Sequence, residues 1–325
     1  MSVSAGQGVH PTITVLHGDD QPQLSGLEHV RLAHDAATLA AALPGTEVLL
    51  VWDFLSDAVH DAWPAADAGL RWVHTASAGV DRLSFPGLAG SAVTVTNSRG
   101  VFDTPIAEYV LGLVLAMAKD LPTTLALQAR REWRHRDAEQ VAGATAVVVG
   151  GGPIGRAVAR LLRAVGMHVE LVGRAAAPGR HGFDELPVLL PRAGWLVLAA
   201  PLTEQTRGMV DAAALAALPA GARVINVARG ALVDEAALVA AVRLGRLGGA
   251  ALDVVATEPL LPSSPLWELP GVIISPHMSG DTHGWRAALV DAFIANLDRY
   301  RAGQPLHNVV DKRLGYVTDG PDGSI

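Results

Sequence analysis

The sequence predicts an α/β protein built from two doubly wound parallel-sheet domains, one inserted into the other. Three observations carry this prediction. Short apolar runs alternate with helix-compatible stretches along nearly the whole chain, as strand–helix crossovers on a parallel sheet require. The 325 residues are enough for two domains that each bury a core. The alternation also comes as two series, each followed by a long helix.

In the earlier series the strand candidates are Thr12–Leu16, Val30–Ala33, Glu47–Trp52, Arg71–Thr75 and Val93–Thr96. Pro105 to Met117 then reads as a long helix, with Asp103 or Thr104 as its cap and Pro105 in its first turn. The later strand candidates are Thr145–Gly150, His168–Val172, Trp195–Ala199, Arg223–Val227, Gly249–Asp253 and Val272–Ser275. They suffice for a complete nucleotide-type sheet. A last helix spans about Gly284 to Ala302. The expected division is residues 1–101, completed by 291–325, and an inserted domain 102–290, with the two long helices as linkers.

Composition narrows the function. Half the residues are hydrophobic and 18% are charged, as in soluble globular proteins. A formal charge of −7 argues against a nucleic-acid partner. Arg130, Arg131, Arg134 and Arg136 read as a solvated face. The absence of cysteine excludes disulfides, a thiol nucleophile and a cysteine metal site, and no other metal-ligand cluster stands out. The N-terminus lacks the basic and apolar regions of a secretory signal, and Tyr109–Ala118 is too short to span a bilayer. A soluble, cytoplasmic protein is expected.

The most informative motif is Thr145-Ala-Val-Val-Val-Gly150-Gly151-Gly152-Pro153-Ile154-Gly155, an apolar strand running into G-x-G-x-x-G and then a helix. Backbone N–H groups at such a helix start can face a pyrophosphate because no Cβ blocks the approach. Gly150 suits the tight turn, Gly152 the close approach and Gly155 the packing of helix on strand. A dinucleotide site of this type normally ends its next strand in an acidic residue that holds the ribose hydroxyls. Here that strand ends in Gly173-Arg174, and Glu170 lies within it rather than at its tip. A forked cation without a carboxylate suits a 2′-phosphate, so NADP(H) is expected in preference to NAD(H). Ala175 and Ala176 offer no hydroxyl, so Arg174 would need help from Arg180.

Ligands of open α/β sheets lie beyond the carboxyl ends of the strands. There the chain places Arg229, Asp253 and His277 on successive strand ends, with Glu258 between the last two. An arginine matches a carboxylate and can polarise a neighbouring carbonyl. A histidine can donate a proton near neutral pH, and a carboxylate beside it favours the imidazolium. Together with a hydride donor these groups could reduce a 2-oxo acid.

These segments carry a resemblance. From about Arg71 to about Tyr316 the chain resembles the D-isomer-specific 2-hydroxyacid dehydrogenase family. The matching motifs are Ser77-Ala-Gly-Val-Asp81, Val95-Thr-Asn97, Ala107-Glu-Tyr109, Asn226-Val-Ala-Arg229-Gly230-Ala-Leu-Val-Asp234-Glu235, Leu252-Asp-Val254, Glu258-Pro-Leu260, Ser275-Pro-His277 and Leu306-His-Asn308. The resemblance implies a Rossmann domain inserted into a flavodoxin-like substrate domain. It implies Arg229 as substrate anchor, His277 as acid/base and Glu258 as its partner, with backbone at Ala78, Gly79 and Val80 holding the substrate carboxylate. Asp253 would contact the nicotinamide end, and Pro201, Thr206 and Val227 would line the cofactor site. Gly173-Arg174 departs from the acidic pattern and is similar to the NADP-preferring glyoxylate/hydroxypyruvate reductases of that family.

For the substrate, Trp52, Phe54 and Trp285 either line an apolar pocket or pack a core, and no second carboxylate-binding arginine can be assigned. A homodimer is expected, with a small 2-oxo or 2-hydroxy acid as the other partner. Two alternatives remain: an NAD-dependent dehydrogenase working toward oxidation, and a dinucleotide-sensing binding protein like the corepressor relatives. The latter would be expected to carry a damaged catalytic set, which this chain does not clearly show.

Overall fold

The computed structural model describes residues 11–63 and 69–318. Its contacts divide the chain into two compact units, Met1–Val101 with His283–Ile325, and Phe102–Thr282. The second boundary precedes the last helix rather than cutting it at residue 290. That helix, Trp285–Arg301, buries Leu289, Phe293, Asn296 and Leu297, and Phe293 stacks on Trp72 of the first unit's own sheet. One apolar face packed on one sheet keeps the helix whole.

The first unit contains strands β1 (Ile13–Leu16), β2 (Val30–Ala33), β3 (Val48–Val51), β4 (Trp72–Thr75) and β5 (Thr94–Asn97). All pairs are parallel, in the order β2-β1-β3-β4-β5. Every residue of β1, β3 and β4 is buried, which is why Val48-Leu-Leu-Val51 reads as a continuous apolar run rather than an alternating one. The order reverses between β1 and β3, as in flavodoxin-like sheets.

The second unit contains β6 (Thr145–Val149), β7 (His168–Gly173), β8 (His181–Gly182), β9 (Trp195–Leu198), β10 (Arg223–Asn226), β11 (Gly249–Leu252) and β12 (Val272–Ile274). Their order is β12-β11-β10-β9-β6-β7-β8, again parallel throughout. The order reverses between β6 and β9, which fixes the ligand crevice at the strand ends there. Strand β8 was not foreseen, because two residues carry no periodicity. Side chains hold it instead: His181 bridges Glu170 at 3.1 Å and Glu185 at 2.8 Å.

The long helix runs Asp103–Ala118 and begins two residues earlier than expected, with Phe102 as N-cap and no side-chain cap. The Phe102 carbonyl accepts from Ile106 N–H, and Pro105 has no N–H to satisfy. Asp103, expected as the cap, is instead the first helical residue, where its charge suits the helix N-terminus. Among the described residues no single helix is long and apolar enough to cross a membrane.

Candidate active site

The glycine loop leaves β6 and enters the helix Pro153–Ala164. Gly150 has φ +135°, and a Cβ there would lie 2.5 Å from the Ala199 backbone at the end of β9. A Cβ on Gly155 would lie 1.7 Å from the Gly150 carbonyl oxygen. These two glycines therefore let helix, turn and sheet meet. Gly152 caps the helix with extended backbone, and a Cβ there would have no atom within 4 Å. The open space above Gly152 and the first turn of the helix, begun by Pro153 and Ile154, suits a dinucleotide pyrophosphate. Arg156 donates to the Gly151 carbonyl at 2.8 Å and steadies the loop.

The segment Asn226–Glu235 is mostly scaffold. Asn226 folds the turn after β10, accepting from Ala228 N–H at 3.0 Å and donating to the Arg229 carbonyl at 3.0 Å. Gly230 permits close approach, since a Cβ would lie 2.0 Å from the Val255 backbone. Asp234 caps the helix Glu235–Arg243 through Ala237 N–H, and Glu235 accepts from Ala256 N–H at 2.9 Å. The arginine is thereby presented beside the loop that follows β11.

That loop carries Glu258, whose Oε2 lies 2.8 Å from His277 Nδ1 and whose Oε1 accepts from Val255 N–H at 3.1 Å. Burial pushes the Glu258 pKa upward. The hydrogen bond and charge of His277, the Val255 N–H and the Arg229 charge outweigh burial and hold it below the ordinary glutamate value. His277 sits at φ +52°, in a region that costs a non-glycine residue energy. Its backbone N–H donates to the Asp253 carbonyl at 2.8 Å.

In the first unit, the loop after β4 has its carbonyls tied inward. Ser98 N–H donates to the Ser77 carbonyl at 2.9 Å, Asn97 Nδ2 to Ala78 at 2.6 Å and Ser77 Oγ to Gly79 at 2.6 Å. Among the described residues, nothing accepts from the N–H groups of Ala78, Gly79 and Val80. Successive free N–H groups of this kind suit an anion.

The profile of the D-isomer specific 2-hydroxyacid dehydrogenase family, NAD binding domain, matches residues 111–279. The chain is 32% identical over 242 residues to a glyoxylate/hydroxypyruvate reductase A of Arabidopsis thaliana, covering 73% of this chain and 77% of that one. Its fold aligns with a D-isomer specific 2-hydroxyacid dehydrogenase from Xanthobacter autotrophicus Py2, solved with NADPH and MES. The TM-score is 0.78 at 32% identity, covering 94% of this chain and 100% of that one. Against the D-3-phosphoglycerate dehydrogenase of Mycobacterium leprae it is 35% identical over 258 residues, covering 76% of this chain but only 48% of that one. The chain belongs to the D-isomer specific 2-hydroxyacid dehydrogenase family.

In this dehydrogenase Arg229, Glu258 and His277 come together on adjoining strand ends, and three other expected site residues are buried. Asp253, expected at the nicotinamide end, is 2% exposed. Its carboxylate accepts from Ser275 Oγ at 2.6 Å, Met278 N–H at 2.9 Å and Ser279 N–H at 2.9 Å. Thr206 is likewise enclosed, donating to the Pro201 carbonyl at 2.7 Å and accepting from Thr203 N–H at 2.8 Å, so it shapes the turn that carries Pro201. Val227 is buried beneath the strand end. Glu170 is engaged with His181 and Arg192, away from any ribose.

The sequence reading understated Arg180. An ideal Cβ on Gly151 would lie 2.5 Å from Arg180 Cδ, and one on Gly173 would lie 2.7 Å from it. The arginine stem thus fills the space above both glycines, while Arg180 Nε donates to the Ala175 carbonyl at 3.1 Å. Two consecutive-strand glycines facing one another were the available signal.

Gly155→Ala should lower stability by more than about 2 kcal/mol, because backbone rather than a movable side chain occupies the space; chemical denaturation of the variant measures this. Glu258→Gln keeps the shape beside His277 Nδ1 but replaces a charged hydrogen-bond partner with a neutral one, so reductive kcat should fall by about tenfold or more; steady-state kinetics on both proteins check the loss.

Proposed function

We propose that the protein reduces a small 2-oxo acid to the D-2-hydroxy acid with NADPH, using His277 as acid/base and Arg229 as substrate anchor. The observation that carries this reading is the 2.8 Å His277–Glu258 pair with Arg229 close enough to influence Glu258 electrostatically. Glu258 engages Nδ1 of His277, which leaves Nε2 to deliver a proton to the carbonyl oxygen. The planar guanidinium of Arg229 grips the substrate carboxylate and polarises the adjacent carbonyl. Within the first unit, the N–H groups of Ala78, Gly79 and Val80 are neutral donors suited to a carboxylate. NADPH, when bound, supplies the hydride. Asp253 keeps His277 in its strained conformation without itself reacting.

The functional unit of this reading is a cytoplasmic homodimer whose partner molecule is the 2-oxo acid, and neither nucleic acid nor membrane takes part. A panel of 2-oxo acids assayed with NADPH and with NADH tests it, with turnover on small monocarboxylates expected. No turnover on any member would overturn the reading in favour of a dinucleotide-sensing protein. His277→Ala should lower kcat by about a hundredfold or more while NADPH affinity, read by fluorescence titration, stays unchanged.

Arg174 and Arg180 are the basis for preferring NADPH. Both lie on the segment just after β7, where an acidic ribose ligand is missing, and the Xanthobacter relative was solved with NADPH. A charge-assisted bond to phosphate is worth about 1.5–3 kcal/mol, or roughly ten- to a hundredfold in affinity, less where solvent screens it. Arg174→Ala and Arg180→Ala should each weaken NADPH while barely changing NADH. Gly173→Asp should shift preference toward NADH by two routes, since its side chain displaces the Arg180 stem and its carboxylate repels a 2′-phosphate. Dissociation constants for both cofactors at fixed ionic strength decide it, and tighter NADH binding by the wild type would sink the preference.

A further inference from the structure

His74 is fully enclosed at the centre of the first unit, on β4, four residues before the loop that presents the Ala78–Val80 N–H groups. One proton arrangement lets every donor in this line find an acceptor. Trp72 Nε1–H donates to Thr96 Oγ1 at 2.8 Å, and the Thr96 hydroxyl donates to His74 Nδ1, 2.8 Å away. Ser98 Oγ–H donates to the Thr75 carbonyl at 3.1 Å and accepts from His74 Nε2–H at 3.2 Å. In this arrangement the ring is the neutral Nε2–H tautomer, and the line of bonds runs in one direction from Trp72 to the end of β4.

The line is clamped from both sides. Phe293 and Tyr300 stack on Trp72 at centroid distances of 5.4 and 5.5 Å, and Phe293 lies 5.6 Å from the His74 ring. Beyond Thr75, its hydroxyl meets Ser77 Oγ at 3.0 Å, and Ser77 in turn donates to the Gly79 carbonyl. Ser98, which receives the histidine proton, also fixes the Ser77 carbonyl through its own N–H. Burial with no carboxylate partner holds the His74 pKa down to about 3, so the proton pattern does not change across the range in which the enzyme works.

We propose that His74 is a positioning residue for substrate binding: through Ser98 it braces the Ser77–Gly79 turn so that the N–H groups of Ala78, Gly79 and Val80 point toward the substrate carboxylate. This rests on the reading of that loop as a carboxylate cradle. His74 touches no substrate, and its effect should appear in substrate affinity rather than in proton transfer.

The test compares His74→Phe, which keeps the ring but removes both bonds, with His74→Gln, which can retain a donor toward Ser98, and with Ser98→Ala. His74→Phe and Ser98→Ala should raise KM for the 2-oxo acid by about five- to tenfold, the usual effect of a buried bond left unmade. kcat should move less than about threefold, since no transition-state contact is lost, and NADPH affinity should not change. Amide hydrogen exchange in the peptide covering residues 76–81 should quicken in the same variants, and His74→Gln should recover part of both effects. Unchanged exchange with unchanged KM would overturn the bracing role and leave the cradle reading standing. Quickened exchange with unchanged KM would overturn the proposal by showing that the loop does not hold the substrate. If His74→Phe fails to fold, Ser98→Ala, a one-atom deletion, carries the same comparison.

Discussion

Asp253 ends β11 with its carboxylate enclosed, and the chain beyond β12 is folded around it. One oxygen receives the Ser275 hydroxyl and Met278 N–H, the other receives Ser279 N–H, and the backbone carbonyl receives His277 N–H. A carboxyl group this deeply buried is tolerable only when its lone pairs are met. Satisfying them forces residues 275–279 into a tight arc. The positive φ of His277 follows from that arc and costs energy that the Asp253 bonds offset. The position of His277 is thus a consequence of desolvating a neighbouring carboxyl group. The Glu258 bond to Nδ1 then sets the ring's rotation, and Glu235 and Val255 hold the Glu258 loop in turn. Arg229, Glu258 and His277 come from three segments, yet each is fixed by backbone bonds that the other segments help to supply.

Close approach of backbones is the second constraint. Gly150 against Ala199, Gly155 against Gly150 and Gly230 against Val255 are contacts where a methyl group would meet main-chain atoms at 2.5 Å or less. Main chain cannot rotate away as a side chain can, so these positions tolerate only glycine. The first two lie at the strand ends where the sheet order reverses, where a ligand must reach backbone N–H groups directly. The same absence of Cβ atoms that packs helix on sheet therefore opens the cofactor's approach.

Much of this was legible in the sequence because it depends on local patterning. The buried parallel strands appear as uninterrupted apolar runs such as Val48–Val51 and Ala146–Val149, and the glycine spacing, Arg229, Glu258 and His277 stand in recognisable order. What stayed hidden depends on direction rather than residue type. Asp253 at a strand end looks the same whether its carboxylate faces a ligand or turns inward to three donors. Arg180 stands out in the sequence only as a helper for Arg174, and its place over Gly151 and Gly173 shows only once the hairpin after β7 folds. The two-residue strand β8 has no apolar signature, since its place depends on His181 bridging two carboxylates from different elements.

His277 and His74 show how far residue type alone can mislead. His277 sits partly exposed, with its Nδ1 against the Glu258 carboxylate. His74 is enclosed among Trp72, Phe293, Thr96 and Ser98, with no carboxylate in contact. There, desolvation makes the charged form too costly, and the ring works as a rigid, directional hydrogen-bond spacer. One imidazole stands partly exposed against a carboxylate, and the other is enclosed and held neutral. Burial and the partner at Nδ1, a carboxylate in one case and a hydroxyl in the other, make that difference, and both are products of the fold.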